Sequence, residues 1–77
     1  MGELDRIRWH CRRGMLELDL VLGAFVERQF GRLDARQIAA FRELLEYQDQ
    51  DLLDLVMGRA EPQDETVRGV LDLVRRG

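Results

Sequence analysis

Residues 33–45 read LDARQIAAFRELL. Asp34 is a residue type whose carboxylate accepts from the free backbone N–H groups that open a helix. Gln37, three positions on, can return a bond to the Asp34 backbone. Leu33 and Ile38 sit at the spacing of a hydrophobic staple across this start. Ile38, Phe41, Leu44 and Leu45 then share one face at 3.6 residues per turn. A capped start that runs into an apolar stripe predicts an amphipathic helix, and the flanking sequence carries similar punctuation.

Upstream, a helix is expected over about 15–30. It is nearly apolar on all sides between Leu18 and Val26, which predicts a central position, with Phe25 and Phe30 as its large core residues. Gly23 is expected at a close helix–helix approach, and Gly31 as the stop. Before it, residues 3–13 place Leu4, Ile7 and Cys11 on one face and Trp9 and Arg13 on the opposite side. The CRRG ending reads as a helix C-terminus, with Gly14 at the position that takes positive φ. Downstream, a short fourth helix capped by Asp49 or Asp51 ends at Gly58. Pro62 opens the approach to a fifth, where Val67, Val70, Leu71 and Val74 keep helical spacing. No segment alternates with period two. The expected fold is all-α, a single-domain bundle of about five helices over residues 1–77.

Composition narrows the function classes. The chain has 77 residues, 45% hydrophobic and 35% charged, enough for one modest core. No apolar run approaches the ~18 residues of a membrane span, so no membrane insertion is expected. Acids and arginines among the first fifteen residues argue against a signal peptide or a mitochondrial presequence. The single cysteine fits a reducing compartment. The expected setting is the cytoplasm of a bacterium, and the expected state a monomer. Every cation is arginine, and the net charge of −3 does not favour nucleic acid. Residues 1–13 are net +2, while 43–65 are net −7. The acidic segment reads as a solvated helix face or as a recognition surface.

Catalysis finds little support. His10 and Cys11 are neighbours about 100° apart on a helix, so they cannot form a nucleophile–base pair. One histidine and one cysteine do not make a metal site by themselves, and no glycine-rich phosphate loop is present. Cys11 reads as a small core residue. What remains is RIRWHCRRGMLELD, residues 6–19. Arg13 and Glu17 are spaced as an intrahelical pair, but base precedes acid, the weaker order. Alternatively Gly14 breaks the helix, and both charges flank a bend and face outward. Glu17 then falls in a first turn, where a negative charge suits the helix dipole. Trp9 beside Arg6, Arg12 and Arg13 has the composition of a binding hot spot, or else tucks against the bundle.

Arg13, Gly14, Met15, Leu16 and Glu17 match R-G-x-x-E, flanked by Arg8, Trp9, Arg12 and Asp19. This stretch resembles the signature of the succinate dehydrogenase assembly factors, small helical proteins that promote covalent attachment of FAD. The resemblance continues through LLEYQDQDLLDLVMGRAEP, an acidic segment before a short helix and a G-x-x-x-P turn. It implies a five-helix accessory factor that is not an enzyme and holds no stably bound cofactor. The implied partner is the flavoprotein subunit of succinate dehydrogenase or fumarate reductase, in which a histidine becomes bonded to FAD. It implies partner-binding roles for Arg13, Gly14, Glu17, Trp9, Arg12, Arg8 and Asp19. On that view Gly14 lets backbone approach the client, Arg13 offers a forked donor and Glu17 a fixed anion. The rival reading is a small helical regulator that neutralises a toxin or binds DNA. Its recognition helix would have to be basic, and the basic segment here is short and interrupted by Asp5.

Overall fold

A computed structural model of the chain describes residues 2–76; Met1 and Gly77, part of the expected 1–77 domain, lie outside the described residues. Five helices follow one another: α1 (Glu3–His10), α2 (Leu16–Gln29), α3 (Ala35–Leu45), α4 (Asp49–Val56) and α5 (Glu65–Arg76). A 3-10 turn at Phe30–Arg32 extends α2. There is no strand among the described residues, as the absence of period-two alternation predicts.

The start of α3 is the capping box read from the sequence. Asp34 Oδ1 accepts from the Gln37 backbone N–H at 2.8 Å, and Gln37 Oε1 accepts from Asp34 N–H at 2.9 Å. Phe41, Leu44 and Leu45 are buried, while Leu33 and Ile38 pack half-buried against the core. Helix α5 lies against α2, α3 and α4. Val67, Val70, Leu71 and Val74 are its buried stripe. Phe25 of α2 and Phe41 of α3 meet beside it with ring centroids 4.9 Å apart and planes tilted by 47°. Ile7 and Cys11 hold α1 to the same cluster.

Several expectations are corrected by how the helix ends form. Helix α1 stops at His10 with Cys11 as its cap, so Gly14 lies in the following loop rather than at the helix end. Gly14 does take positive φ (+76°), as does Gly58 (+81°). At Gly58 the exit of α4 is a Schellman motif: Arg59 N–H donates to Asp54 O at 2.8 Å and Gly58 N–H to Leu55 O at 3.2 Å. Neither Asp49 nor Asp51 caps α4. That position is Gln48, without a side-chain bond, and the Asp49 carboxylate is engaged elsewhere. Gly31 lies within the 3-10 turn and does not take positive φ. A Cβ at Gly23 would meet nothing within 4 Å, so no helix crosses closely there. Helix α2 is also not buried all round. Leu18, Leu22 and Phe25 face inward at i, i+4 and i+7, which turns Leu16 and Leu20 to solvent. One cap escaped the sequence reading: Asp64 Oδ1 accepts from the N–H groups of Thr66 and Val67, opening α5.

Phe25→Ala should cost about 3–5 kcal/mol, because it removes a fully buried ring and its Phe41 contact. Asp34→Ala should cost about 1 kcal/mol through loss of the cap. Denaturant unfolding of the two variants checks both values and their order.

Candidate functional site

The loop 11–15 between α1 and α2 is held by three kinds of contact. Cys11 N–H donates to Ile7 O and Arg8 O, and Arg12 N–H to Trp9 O, which winds the chain off α1. Gly14 then reverses its direction. Met15 is extended and precedes α2 without a side-chain cap. From the first turns of α2 the Asp19 carboxylate reaches back six residues and accepts from the Arg13 N–H at 2.7 Å. Asp19 thus holds the loop against the helix that follows it. Glu17, in the first turn of α2, is exposed.

Arg13 does not face outward with Glu17. Its side chain is only 12% exposed and turns into the protein. Nε donates to Asp49 Oδ1 at 2.7 Å, and Nη1 to Leu45 O at 2.9 Å and His10 O at 3.1 Å. Nη2 donates to Tyr47 O. The physical reason is the exit of α3, whose last carbonyls have no partner within the helix. A planar guanidinium with five donors suits several carbonyls and a carboxylate at once. Four bonds commit most of that donor capacity inside the chain. The sequence signal for this was faint, an arginine 32 residues ahead of the helix end it serves.

The other motif residues stand at the surface. Trp9 is 72% exposed, which selects the exposed reading over the tucked one. Arg8 and Arg12 are exposed, and Arg8 lies 3.8 Å from Glu27 in an open ion pair that contributes little. Arg8, Arg12, Asp19, Gly23 and Glu27 rim a cleft of about 200 Å³ between α1 and α2, with Cys11 and Val26 also in its lining. A Cβ at Gly14 would meet no atom of the chain within 4 Å, so the backbone there is open to an approaching partner. Leu16 and Leu20, 73% and 64% exposed, add an apolar strip on α2 that the sequence reading missed. The signal was present in the inward spacing of Leu18, Leu22 and Phe25, which leaves positions 16 and 20 facing away.

Cys11 is buried, and its burial pushes the thiol up to about 11; Asp19 adds to this and Arg13 opposes it. A thiol so disposed is a poor nucleophile at neutral pH. Among the described residues no group of three His, Cys, Asp or Glu side chains could hold a metal ion, and no helix is long and apolar enough to cross a membrane.

Comparison with protein families matches residues 5–77 to the Sdh5 family, described as the flavinator of succinate dehydrogenase. Among individual proteins, the FAD assembly factor SdhE of Pseudomonas aeruginosa is 47% identical over 72 residues, covering 94% of this chain and 86% of that one. The FAD assembly factor SdhE of Legionella pneumophila (strain Lens) is 48% identical over 63 residues, covering 82% and 80%. That of Yersinia pseudotuberculosis is 40% identical over 70 residues, covering 91% and 80%.

Arg13→Ala should remove about 2–3 kcal/mol of stability, because it strips the α3 exit of its donors, and should lower the thermal midpoint by roughly 10–20 °C. Cys11 gives a pH dependence. Its folded-state value of about 11 lies above the ordinary 9.0, so at alkaline pH the unfolded chain loses the thiol proton first. Stability should therefore be unaffected by this group below pH 9 and fall between pH 9 and 11, by on the order of 2 kcal/mol. Denaturant midpoints across that range, with Cys11→Ala as the reference, measure the difference.

Proposed function

The chain belongs to the Sdh5 family, and on that premise we propose that it binds the flavoprotein subunit of succinate dehydrogenase, or of fumarate reductase, and promotes covalent attachment of FAD to it. The FAD belongs to the client. This chain supplies no catalytic group of its own and acts as a cytoplasmic monomer, in one domain. The bond between a client histidine and the flavin forms once the two are held within reaction distance, a problem of preorganisation. A bound partner contributes by fixing one arrangement of the client around its flavin.

The observation that carries this reading is Gly14, with its positive φ and open space where a Cβ would stand, next to an exposed Glu17 and Trp9. Nothing within the chain requires a glycine there for room. Its positive φ and a close approach by the client both favour glycine. Around it, Glu17 presents an anion, Arg8 and Arg12 present forked donors, and Trp9 with Leu16 and Leu20 presents apolar area. Arg13 and Asp19 serve the same surface from behind, by fixing the loop. This revises the role implied by the resemblance, in which Arg13 touches the client.

The test is flavinylation of the purified client subunit with FAD, read as flavin fluorescence of the denatured protein on a gel. Glu17→Ala should keep the wild-type thermal midpoint to within about 2 °C and reduce flavinylation about tenfold or more at limiting protein. Gly14→Arg should reduce it further, since it adds backbone strain to a steric block. Normal flavinylation with both variants would remove the motif from the working surface. No stimulation by the wild-type protein would overturn the function itself.

A further inference from the structure

The geometry points to Asp49 as a positioning residue for the client surface, acting on it only through Arg13. This inference rests on the function proposed above and adds to it a residue outside the R-G-x-x-E motif and its flanks. Three of the acceptors around the Arg13 guanidinium are backbone carbonyls, of His10, Leu45 and Tyr47. The fourth is the Asp49 carboxylate, and it takes the Nε–H. That bond differs from the others in what it fixes. The Nη groups can exchange carbonyls as the plane turns, but Nε sits at the pivot, and its N–H sets the direction of the whole fork. The bond is charge-assisted and short at 2.7 Å, between an Arg13 side chain 12% exposed and an Asp49 side chain 44% exposed.

The consequence passes along the Arg13 backbone. Its N–H is already tied to Asp19 at 2.7 Å, so the residue is held at main chain by α2 and at side chain by α4. Gly14 follows directly, with three residues between Arg13 and Glu17. Releasing the α4 tether leaves Gly14, the most freely rotating residue type, to absorb the slack. The orientation of Glu17 and of the open Gly14 backbone relative to Trp9 and Arg12 then spreads over several arrangements, and a client must select one. Asp49 itself opens α4 and is not among the buried core residues, so its replacement leaves the core untouched.

Asp49→Ala, which removes both the charge and the acceptor, tests this in two ways. Amide hydrogen exchange should quicken about tenfold across residues 13–17 while α5 stays at its wild-type rates; a uniform increase would make Asp49 an ordinary stabilising residue and overturn the proposal. In client flavinylation, the protein concentration giving half-maximal product should rise about tenfold, with the same extent at saturation. The rise should vanish when Asp49→Ala is made in an Arg13→Met background, because a side chain of similar length without donor or charge makes no contact with position 49. An equal rise in both backgrounds would mean that Asp49 meets the client directly, and no rise in either would remove its role; both outcomes overturn the inference. Glu17→Ala serves as the separate control. If it weakens flavinylation while Asp49→Ala does not, the client surface stands and only the positioning role fails.

Discussion

The exit of α3 is where this small protein meets its hardest constraint. A helix must end with unpartnered carbonyls, and here the chain turns within three residues into α4. Arg13 supplies the donors from a loop more than thirty residues away in sequence. The fork reaches those carbonyls from a loop that begins where α1 ends, at His10, and that turns through positive φ at Gly14. Through these bonds one guanidinium ties together the loop after α1, the exit of α3 and the start of α4. Its charge is tolerable because Asp49 stands beside it and because the site keeps a narrow opening to solvent.

This arrangement divides the motif between two duties. Arg13 and Asp19 bond within the chain and build the loop, whereas Gly14 and Glu17 are exposed. A residue pattern in sequence does not show that division, since all four fall within seven positions. The exposed acid and the open glycine have defined places only when the arginine between α1 and α2 is seated.

The local features of the fold were legible in sequence because they rest on short-range chemistry. The Asp34–Gln37 box, the stripe on α5, the end of α4 at Gly58 and the positive φ of Gly14 are each decided by residues within a turn or two. What escaped was decided at a distance. Asp49 looks like a helix cap until Arg13 arrives from another part of the chain and takes its carboxylate. Arg13 looks exposed on any wheel drawn through residues 3–13, because the wheel assumes a helix that the α3 carbonyls pre-empt. Helix α2 reads as buried all round by composition alone; which of its leucines face solvent depends on where its neighbours pack. For the candidate site, the motif and the exposure of Trp9 were within reach of sequence, and the roles of Arg13 and of Leu16 and Leu20 were not.

Helix α4 is gripped at both ends by guanidiniums. Arg13 holds its first residue through Asp49, and Arg75, in the last turn of α5, donates twice to Leu55 O near its end, with further bonds to Ala60 O and Glu61. Eight residues make too short a helix to persist unaided in water. During synthesis on the ribosome, then, α4 is complete in sequence by residue 56 but acquires its second grip only after residue 75 has been added. That second grip thus depends on a residue that emerges nearly twenty positions later.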